Sequence, residues 1–106
     1  MYLLNLYFKN AFDAKCPMIE RKVIVLNKMG LHARPSSKFV QRAAAFKSNV
    51  HIRRDNQVVN GKSIMGVMML AAAQGTELTL TANGADEELM LAALAELFEK
   101  KFDETD

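Results

Sequence analysis

Four segments of the chain show the pattern of apolar and polar positions that is typical of β-strands. Val50 and Ile52 alternate with polar neighbours, so both side chains should enter the core while His51 points to solvent. Leu78 and Leu80 show the same alternation further along the chain. The predicted strands are, in order, 20–26, 49–53, 57–59 and 77–82, and Asp55-Asn56 marks a hairpin turn between the second and the third.

Three other segments repeat apolar residues every three or four positions, as amphipathic helices do. In the first of them, Phe39, Val40 and Ala43 form the stripe that should face the core. In the last, acidic residues come first and Lys100 and Lys101 come last, which is the order that the helix dipole favours. The predicted helices are 36–46, 63–70 and 86–101.

The order of these elements, β-α-β-β-α-β-α, determines the fold that we expect. Four strands with one apolar face need helices to cover that face. The pattern therefore predicts an α+β fold, an open-faced β-sandwich in which a four-stranded antiparallel sheet carries three helices on one face.

Residues 1–17 lack this organisation. They show no clear alternation, and Pro17 interrupts the chain before Met18, which suits a true start. We interpret 1–17 as an N-terminal extension that is poorly ordered or begins at a non-native start, and 18–106 as the folded domain. The alternative is that residues 1–17 form a short amphipathic anchor or a segment that binds a partner.

Composition and charge narrow the class of protein. The chain of 106 residues suits one small domain, and its net charge of +2 is too small to indicate nucleic-acid binding. Its single cysteine, Cys16, excludes an internal disulfide and a four-thiolate metal site. No run reaches the ~20 apolar residues that cross a bilayer, and a secretory signal is lacking. We expect a cytoplasmic protein with no membrane insertion and no nucleic-acid partner.

A histidine, an arginine and a proline stand directly before the first predicted helix, within residues 30–36. Pro35 suits the first helical turn, where its missing N–H costs nothing. His32 then lies just outside a helix N-terminus, where unpaired N–H groups and the positive end of the dipole favour an anion. Arg34 adds a planar, permanently charged fork of donors that can hold phosphoryl oxygens. The arrangement predicts that His32 accepts a phosphoryl group.

The chemistry expected of His32 is nucleophilic. A neutral ring nitrogen would attack phosphorus and form a phosphoramidate, and the helix start favours the nitrogen nearer the backbone. No acid or base is evident beside His32, and a carrier that relays a phosphoryl group needs none. We therefore expect a phosphocarrier, not an enzyme with its own substrate. Neither histidine has ligands at metal spacing, so we expect no metal and no cofactor.

A second motif, residues 61–69, begins with a serine that suits a helix N-cap, Ser63. Val67 and Leu70 should face the sheet, which would leave an exposed patch of adaptable apolar side chains: Ile64, Met65 and Met68. Such patches dock partner proteins. A phosphate on Ser63 would place about two negative charges inside this patch, so Ser63 is predicted to be both a cap and a regulatory switch.

Together, residues 30–35 and 61–66 resemble the two motifs of the histidine-containing phosphocarrier (HPr) family. These proteins are small carriers of the bacterial phosphoenolpyruvate-dependent phosphotransferase system, and the resemblance extends from residue 19 to about 102. It implies that His32 receives phosphate from phosphorylated enzyme I and passes it to an EIIA-type acceptor. Arg34 matches the arginine that supports the family's phosphohistidine.

The resemblance also assigns the second motif. Ser63 matches the regulatory serine that an HPr kinase/phosphorylase modifies, and the partner-docking surface of the family corresponds to Ile64, Met65 and Met68. One departure is that Ser36 and Ser37 replace alanines common after the proline, which adds hydroxyls near the phosphate. We expect a monomer that serves sugar transport and carbon catabolite regulation. The alternatives are a nitrogen-branch regulatory carrier, a signalling protein acting mainly through phospho-Ser63, and a module of a larger phosphotransferase.

Overall fold

The computed structural model describes residues 18–104, which contain one four-stranded antiparallel sheet. Its strands are β1 (Ile19–Ile24), β2 (Asn49–Arg54), β3 (Gln57–Asn60) and β4 (Glu77–Asn83). They lie side by side in the order β1-β4-β2-β3, so the last strand of the chain separates the first from the second. The expectations for residues 1–17, including the one for Cys16, fall outside the described residues.

Three helices of the described part cover one face of this sheet: α1 (Ala33–Ala44), α2 (Ile64–Met69) and α3 (Glu87–Glu99). Helix α3 lies against β1 and β4, α2 lies against β3, and α1 packs on both other helices. A short 3-10 turn, Lys101–Asp103, follows α3. The predicted α+β open-faced sandwich is therefore confirmed.

The core lies between the sheet and the helices. Val50 and Ile52 are fully buried while His51 between them is exposed, as the alternation of the strand predicted. Phe39 of α1 and Phe98 of α3 meet in this core, edge to face, with 6.0 Å between their ring centroids. The predicted inward-facing positions on both layers are thus correct.

Several predicted boundaries were wrong by two or three residues. Helix α1 begins at Ala33 rather than at residue 36, because His32 has extended backbone angles and takes the N-cap position. Strand β1 ends at Ile24 because Val25 leaves the ladder and bonds to the turn before β4, its N–H donating to the Thr76 carbonyl at 3.0 Å. Helix α3 ends at Glu99, so Lys100 and Lys101 follow the helix instead of forming its last turn.

The start of α3 is tied to the loop before β2 by a carboxylate. Asp86, the N-cap residue of α3, accepts hydrogen bonds from the Ser48 hydroxyl and from the backbone N–H groups of Lys47 and Ser48, both at 2.9 Å. These donors, the Ser48 hydroxyl foremost, lower the pKa of Asp86 to about 2. The ionised carboxylate therefore fastens two elements that are distant in sequence.

Candidate functional site

His32 occupies the N-cap position of α1. Its backbone is extended (φ −78°, ψ −168°), its carbonyl accepts the first helical hydrogen bond from the Ser36 N–H at 3.0 Å, and its side chain makes no cap bond. The N–H groups of Ala33 and Arg34 belong to the first turn and have no intrahelical acceptor. Pro35, the next residue, has no N–H to leave unpaired. As predicted, the free N–H groups and the positive end of the helix dipole lie at the same helix end as the imidazole.

The loop before α1 is held in one shape by contacts with distant residues. Gly30 has a φ of +71°, and a Cβ at this position would overlap the carbonyl oxygen of Ala72, so only glycine fits. The next residue, Leu31, is buried and donates its N–H to that same carbonyl at 2.9 Å. Ser36 donates its hydroxyl to the Leu31 carbonyl at 3.2 Å. The backbone on either side of His32 is therefore fixed, by Ala72 before it and by Ser36 after it.

The Ser36 hydroxyl was expected to lie near the predicted phosphate, but it points away from the open end of the helix. Ser36 is fully buried, and its hydroxyl is directed back into the loop towards Leu31. Ser37 accepts a hydrogen bond from the Gln41 amide at 3.4 Å along the helix. Ser36 thus stiffens the loop before α1.

A carboxylate lies directly against His32, and sequence reasoning missed it. Glu104 Oε2 is 2.9 Å from His32 Nε2, and Glu104 Oε1 accepts a hydrogen bond from Asn27 Nδ2 at 3.1 Å. The side chain of Glu104 is only 14% exposed, against 39% for His32. The prediction that no acid stands beside the histidine was therefore wrong. The two residues are 72 positions apart in the sequence, so no local spacing predicts their contact.

Arg34 is exposed on the first turn of α1, two residues after His32. Its guanidinium makes no hydrogen bond or ion pair with any other residue in 18–104. Since nothing there competes for its five N–H donors, the side chain is available to an anion held at the helix N-terminus.

Helix α2 carries the second predicted group of residues. Ser63 caps it, its hydroxyl accepting the Gly66 N–H at 3.1 Å. Val67 and Leu70 are fully buried, as expected, while the predicted patch residues are 42%, 72% and 42% exposed: Ile64, Met65 and Met68. Met69, 65% exposed, extends this patch and was missed, although it follows Met65 by one helical turn.

The other end of α2 is held by side chains of the β2–β3 hairpin. Arg54 donates from Nη1 to the carbonyls of Leu70 and Ala71, the latter at 3.3 Å. Gln57 donates to the Met69 carbonyl at 3.4 Å. These donors satisfy carbonyl groups that a short helix leaves unpaired, so the α2 patch is presented on a fixed element.

No group of three or more histidine, cysteine or acidic side chains in 18–104 is arranged to hold a metal ion. None of the helices there has the length and apolar character required to span a bilayer.

Comparison with known proteins places this site in a family. A family model described as the PTS HPr component phosphorylation site matches residues 19–100. Phosphocarrier protein HPr of Xylella fastidiosa is 49% identical over 87 residues, which cover 82% of this chain and 98% of that protein. The HPr-like protein Crh of Bacillus subtilis is 51% identical over 78 residues, which cover 74% and 92% of the two chains.

The fold agrees with the sequence relationship. The crystal structure of HPr from Thermoanaerobacter tengcongensis superposes with a TM-score of 0.79 at 46% identity, covering 83% of this chain and 99% of that one. Sequence, fold and the position of the histidine motif therefore lead to the same conclusion. The chain belongs to the HPr family of phosphocarrier proteins of the phosphotransferase system.

Proposed function

We propose that this protein carries a phosphoryl group on His32, which it accepts from phosphorylated enzyme I and passes to an EIIA-type protein. The observation that supports this most is the place of His32 at the open N-terminus of α1. On the same turn lies the guanidinium of Arg34, which has no polar partner among residues 18–104. Backbone donors, helix dipole and guanidinium would share the charge of the phosphoryl oxygens. The protein would act as a relay in the cytoplasm, without turnover of a substrate of its own.

The test is transfer of label from phosphoenolpyruvate in the presence of enzyme I. The wild-type chain should take up one acid-labile phosphate, and His32→Ala should take up none because the nucleophile is gone. His51→Ala is the matched control, since His51 is exposed on the sheet and away from the helix N-terminus. Equal labelling of the His32→Ala variant would refute the proposal.

Regulation is proposed to act through Ser63. An HPr kinase/phosphorylase would phosphorylate its hydroxyl, which lies at the N-terminus of α2 directly before the exposed side chains of Ile64 and Met65. The helix dipole would stabilise the added phosphate, while its charge would oppose the docking of partners on the apolar patch. Enzyme I and the EIIA-type protein would both use this surface, which the exposed Met68 extends.

A second candidate function is signalling through phospho-Ser63 alone. The similarity to Crh favours it, because that protein is HPr-like without being named a phosphocarrier. The presence of His32 favours the carrier instead. A third reading is a nitrogen-branch carrier with regulatory acceptors. Transfer from the phosphorylated protein to a panel of EIIA-type proteins separates these functions, because a pure signalling protein would label none of them. We expect a monomer, which sedimentation equilibrium would test.

A further inference from the structure

The chain after α3 has a strained backbone. Lys101, Phe102 and Asp103 have φ angles of 56°, 54° and 61°, a left-handed conformation that costs free energy at most residues other than glycine, asparagine and aspartate. Phe102 is fully buried and its ring packs edge to face on Phe98, with 4.9 Å between the centroids. Lys38 Nζ of α1 donates to the Phe102 carbonyl at 2.7 Å. These contacts hold a turn that reverses the chain and delivers Glu104 to His32.

The carboxylate of Glu104 is oriented independently of the histidine. Its Oε1 accepts from Asn27 Nδ2, and Asn27 is buried and also donates to the Gly30 carbonyl at 2.7 Å. The bond from Asn27 to Oε1 thus orients the carboxylate so that its other oxygen, Oε2, faces His32 Nε2. Because an ionised carboxylate only accepts hydrogen bonds, Nε2 must carry the proton in this contact, and the lone pair of the neutral ring resides on Nδ1.

We propose that Glu104 is a positioning residue for the histidine, one that fixes the tautomer and supports the charge of the ring during transfer. Within 18–104 no residue hydrogen-bonds Nδ1, so that nitrogen is free to attack. This inference rests on the proposed function, because it assumes that His32 is the phosphoryl acceptor. The carboxylate and the incoming phosphoryl group then lie on different ring nitrogens, and the helix N-terminus and Arg34 offset their mutual repulsion.

The transfer step balances with no additional proton acceptor. The Nδ1 lone pair forms the N–P bond while the bond between phosphorus and the donor breaks, and its electron pair leaves on the donor atom. The imidazole gains positive charge as the bond forms, and the Glu104 carboxylate at Nε2 stabilises that charge. The Nε2 proton stays between the ring and Glu104. Because the Nε2 proton is retained, the ring leaves as a neutral imidazole when the phosphoryl group is passed on, and a neutral imidazole is a better leaving group than an imidazolate.

A first experiment observes the ring without any phosphoryl transfer. The ¹⁵N chemical shifts of His32 in the full, unphosphorylated chain should report the Nε2–H tautomer. Glu104→Ala should give a mixture of tautomers, whereas Asp103→Asn should match the wild type. Asp103 is the matched control because it is exposed, carries the same charge and lies next to Glu104, and asparagine also tolerates its left-handed backbone. An unchanged tautomer in Glu104→Ala would overturn the proposal.

A second experiment uses phosphoramidate, a small phosphoryl donor that needs no enzyme; its P–N bond breaks and ammonia leaves with a proton from water. We expect phosphate on Nδ1 of His32, about tenfold slower modification in Glu104→Gln, and wild-type rates in Asp103→Asn. The exposed His51 serves as an internal reference in each protein. Phosphate on Nε2 of wild-type His32, or equal rates in Glu104→Gln and the wild type, would refute the role of Glu104.

Transfer from enzyme I separates this inference from the proposed function. If the wild type is inert to enzyme I while the tautomer and the phosphoramidate rates change as expected, the carrier function fails and the role of Glu104 stands. If enzyme I phosphorylates the wild type, Glu104→Gln and Glu104→Ala at the same rate, the carrier function stands and the role of Glu104 fails.

Discussion

At the scale of single residues, the candidate site depends on side chains that have few partners of their own. Arg34 makes no polar contact within the described residues, and the Ser63 hydroxyl accepts a hydrogen bond from one backbone N–H of its own helix. Substitution of Arg34, or replacement of Ser63 by another N-cap residue, should therefore cost little stability and separate function from folding.

Arg34→Lys tests whether the planar fork of the guanidinium matters in addition to its charge. Lysine keeps the positive charge but cannot hold two phosphoryl oxygens at once, so we expect phosphorylation of His32 by enzyme I to slow about tenfold. The measurement is the initial rate at fixed enzyme I. Arg42→Lys, at an exposed position later in α1, should transfer like the wild type. Equal rates in both variants would show that charge alone suffices at position 34.

Ser63→Asp tests the switch. Aspartate is as good an N-cap as serine, so α2 should remain folded while a negative charge enters the exposed patch that we propose as the docking surface. We expect a higher KM of enzyme I for this variant, by roughly tenfold, with an unchanged thermal midpoint. Ser63→Ala should keep the wild-type KM because it adds no charge. It should lower the thermal midpoint, because it loses the hydrogen bond to the Gly66 N–H, about 1 kcal/mol. Transfer by Ser63→Asp at the wild-type KM would exclude an electrostatic switch.

At the scale of elements, α2 divides its residues sharply between core and surface. Val67 and Leu70 are fully buried, whereas Met65 is 72% exposed. Arg54 and Gln57 fix the C-terminal end of the helix, and Ser63 fixes the other. A six-residue helix is not stable alone, so this anchoring is what allows α2 to present a surface.

Met65→Ala should weaken the binding of enzyme I while changing the free energy of unfolding by less than about 0.5 kcal/mol, because the side chain is exposed. Val67→Ala is the matched control, since it removes buried methyl groups and should cost about 2 kcal/mol. Denaturant titration and equilibrium binding measure the two effects. A large loss of stability in Met65→Ala would mean that its side chain belongs to the core.

The sequence predicted the elements well and their ends less well, for a physical reason. Alternation in β2 and the helical spacing around Phe39 are local properties, so they can be read without knowing the fold. The end of β1 depends instead on Val25 bonding to Thr76, a partner 51 residues away. The start of α1 was hidden because a histidine serves as its cap, which is not among the preferred N-cap residues.

The residues of the candidate site also fall into two groups, those predicted from local sequence and one that depends on a distant contact. The place of His32 and Arg34 at a helix N-terminus followed from Pro35 and the residues after it, and the exposed side of α2 followed from its periodicity. The role of Glu104 could not be predicted from the sequence, because its contact with His32 needs a left-handed turn at three residues that are not glycine. Local propensity does not favour that turn at Lys101 and Phe102, and the burial of Phe102 and the bond from Lys38 to its carbonyl stabilise it.

At the scale of the whole molecule, the ionised side chain of Asp86 joins the loop after α1 to the start of α3. Its folded-state pKa of about 2 lies below the unfolded value of 3.8, so its contribution to stability is complete above pH 3.8. The contribution is lost as the pH falls through the folded pKa.

Asp86→Asn should therefore be less stable than the wild type at neutral pH, and the difference should shrink between about pH 4 and pH 2. Urea unfolding at a series of pH values measures it. Glu88→Gln, which removes an exposed carboxylate from the first turn of the same helix, should show no comparable convergence. A constant difference between Asp86→Asn and the wild type down to pH 2 would contradict the assignment.

The strand order has a consequence for how the protein comes into being. Within the described residues β1 pairs only with β4, Ile19 opposite Ala82, so closing that pair brings together ends separated by some sixty residues. Pairing at such separation is slow compared with the formation of helices. The loop before His32 is likewise completed by residues far along the chain, Ala72 and Glu104. A nascent chain on the ribosome would thus complete the loop that positions His32 only after residue 104 has emerged.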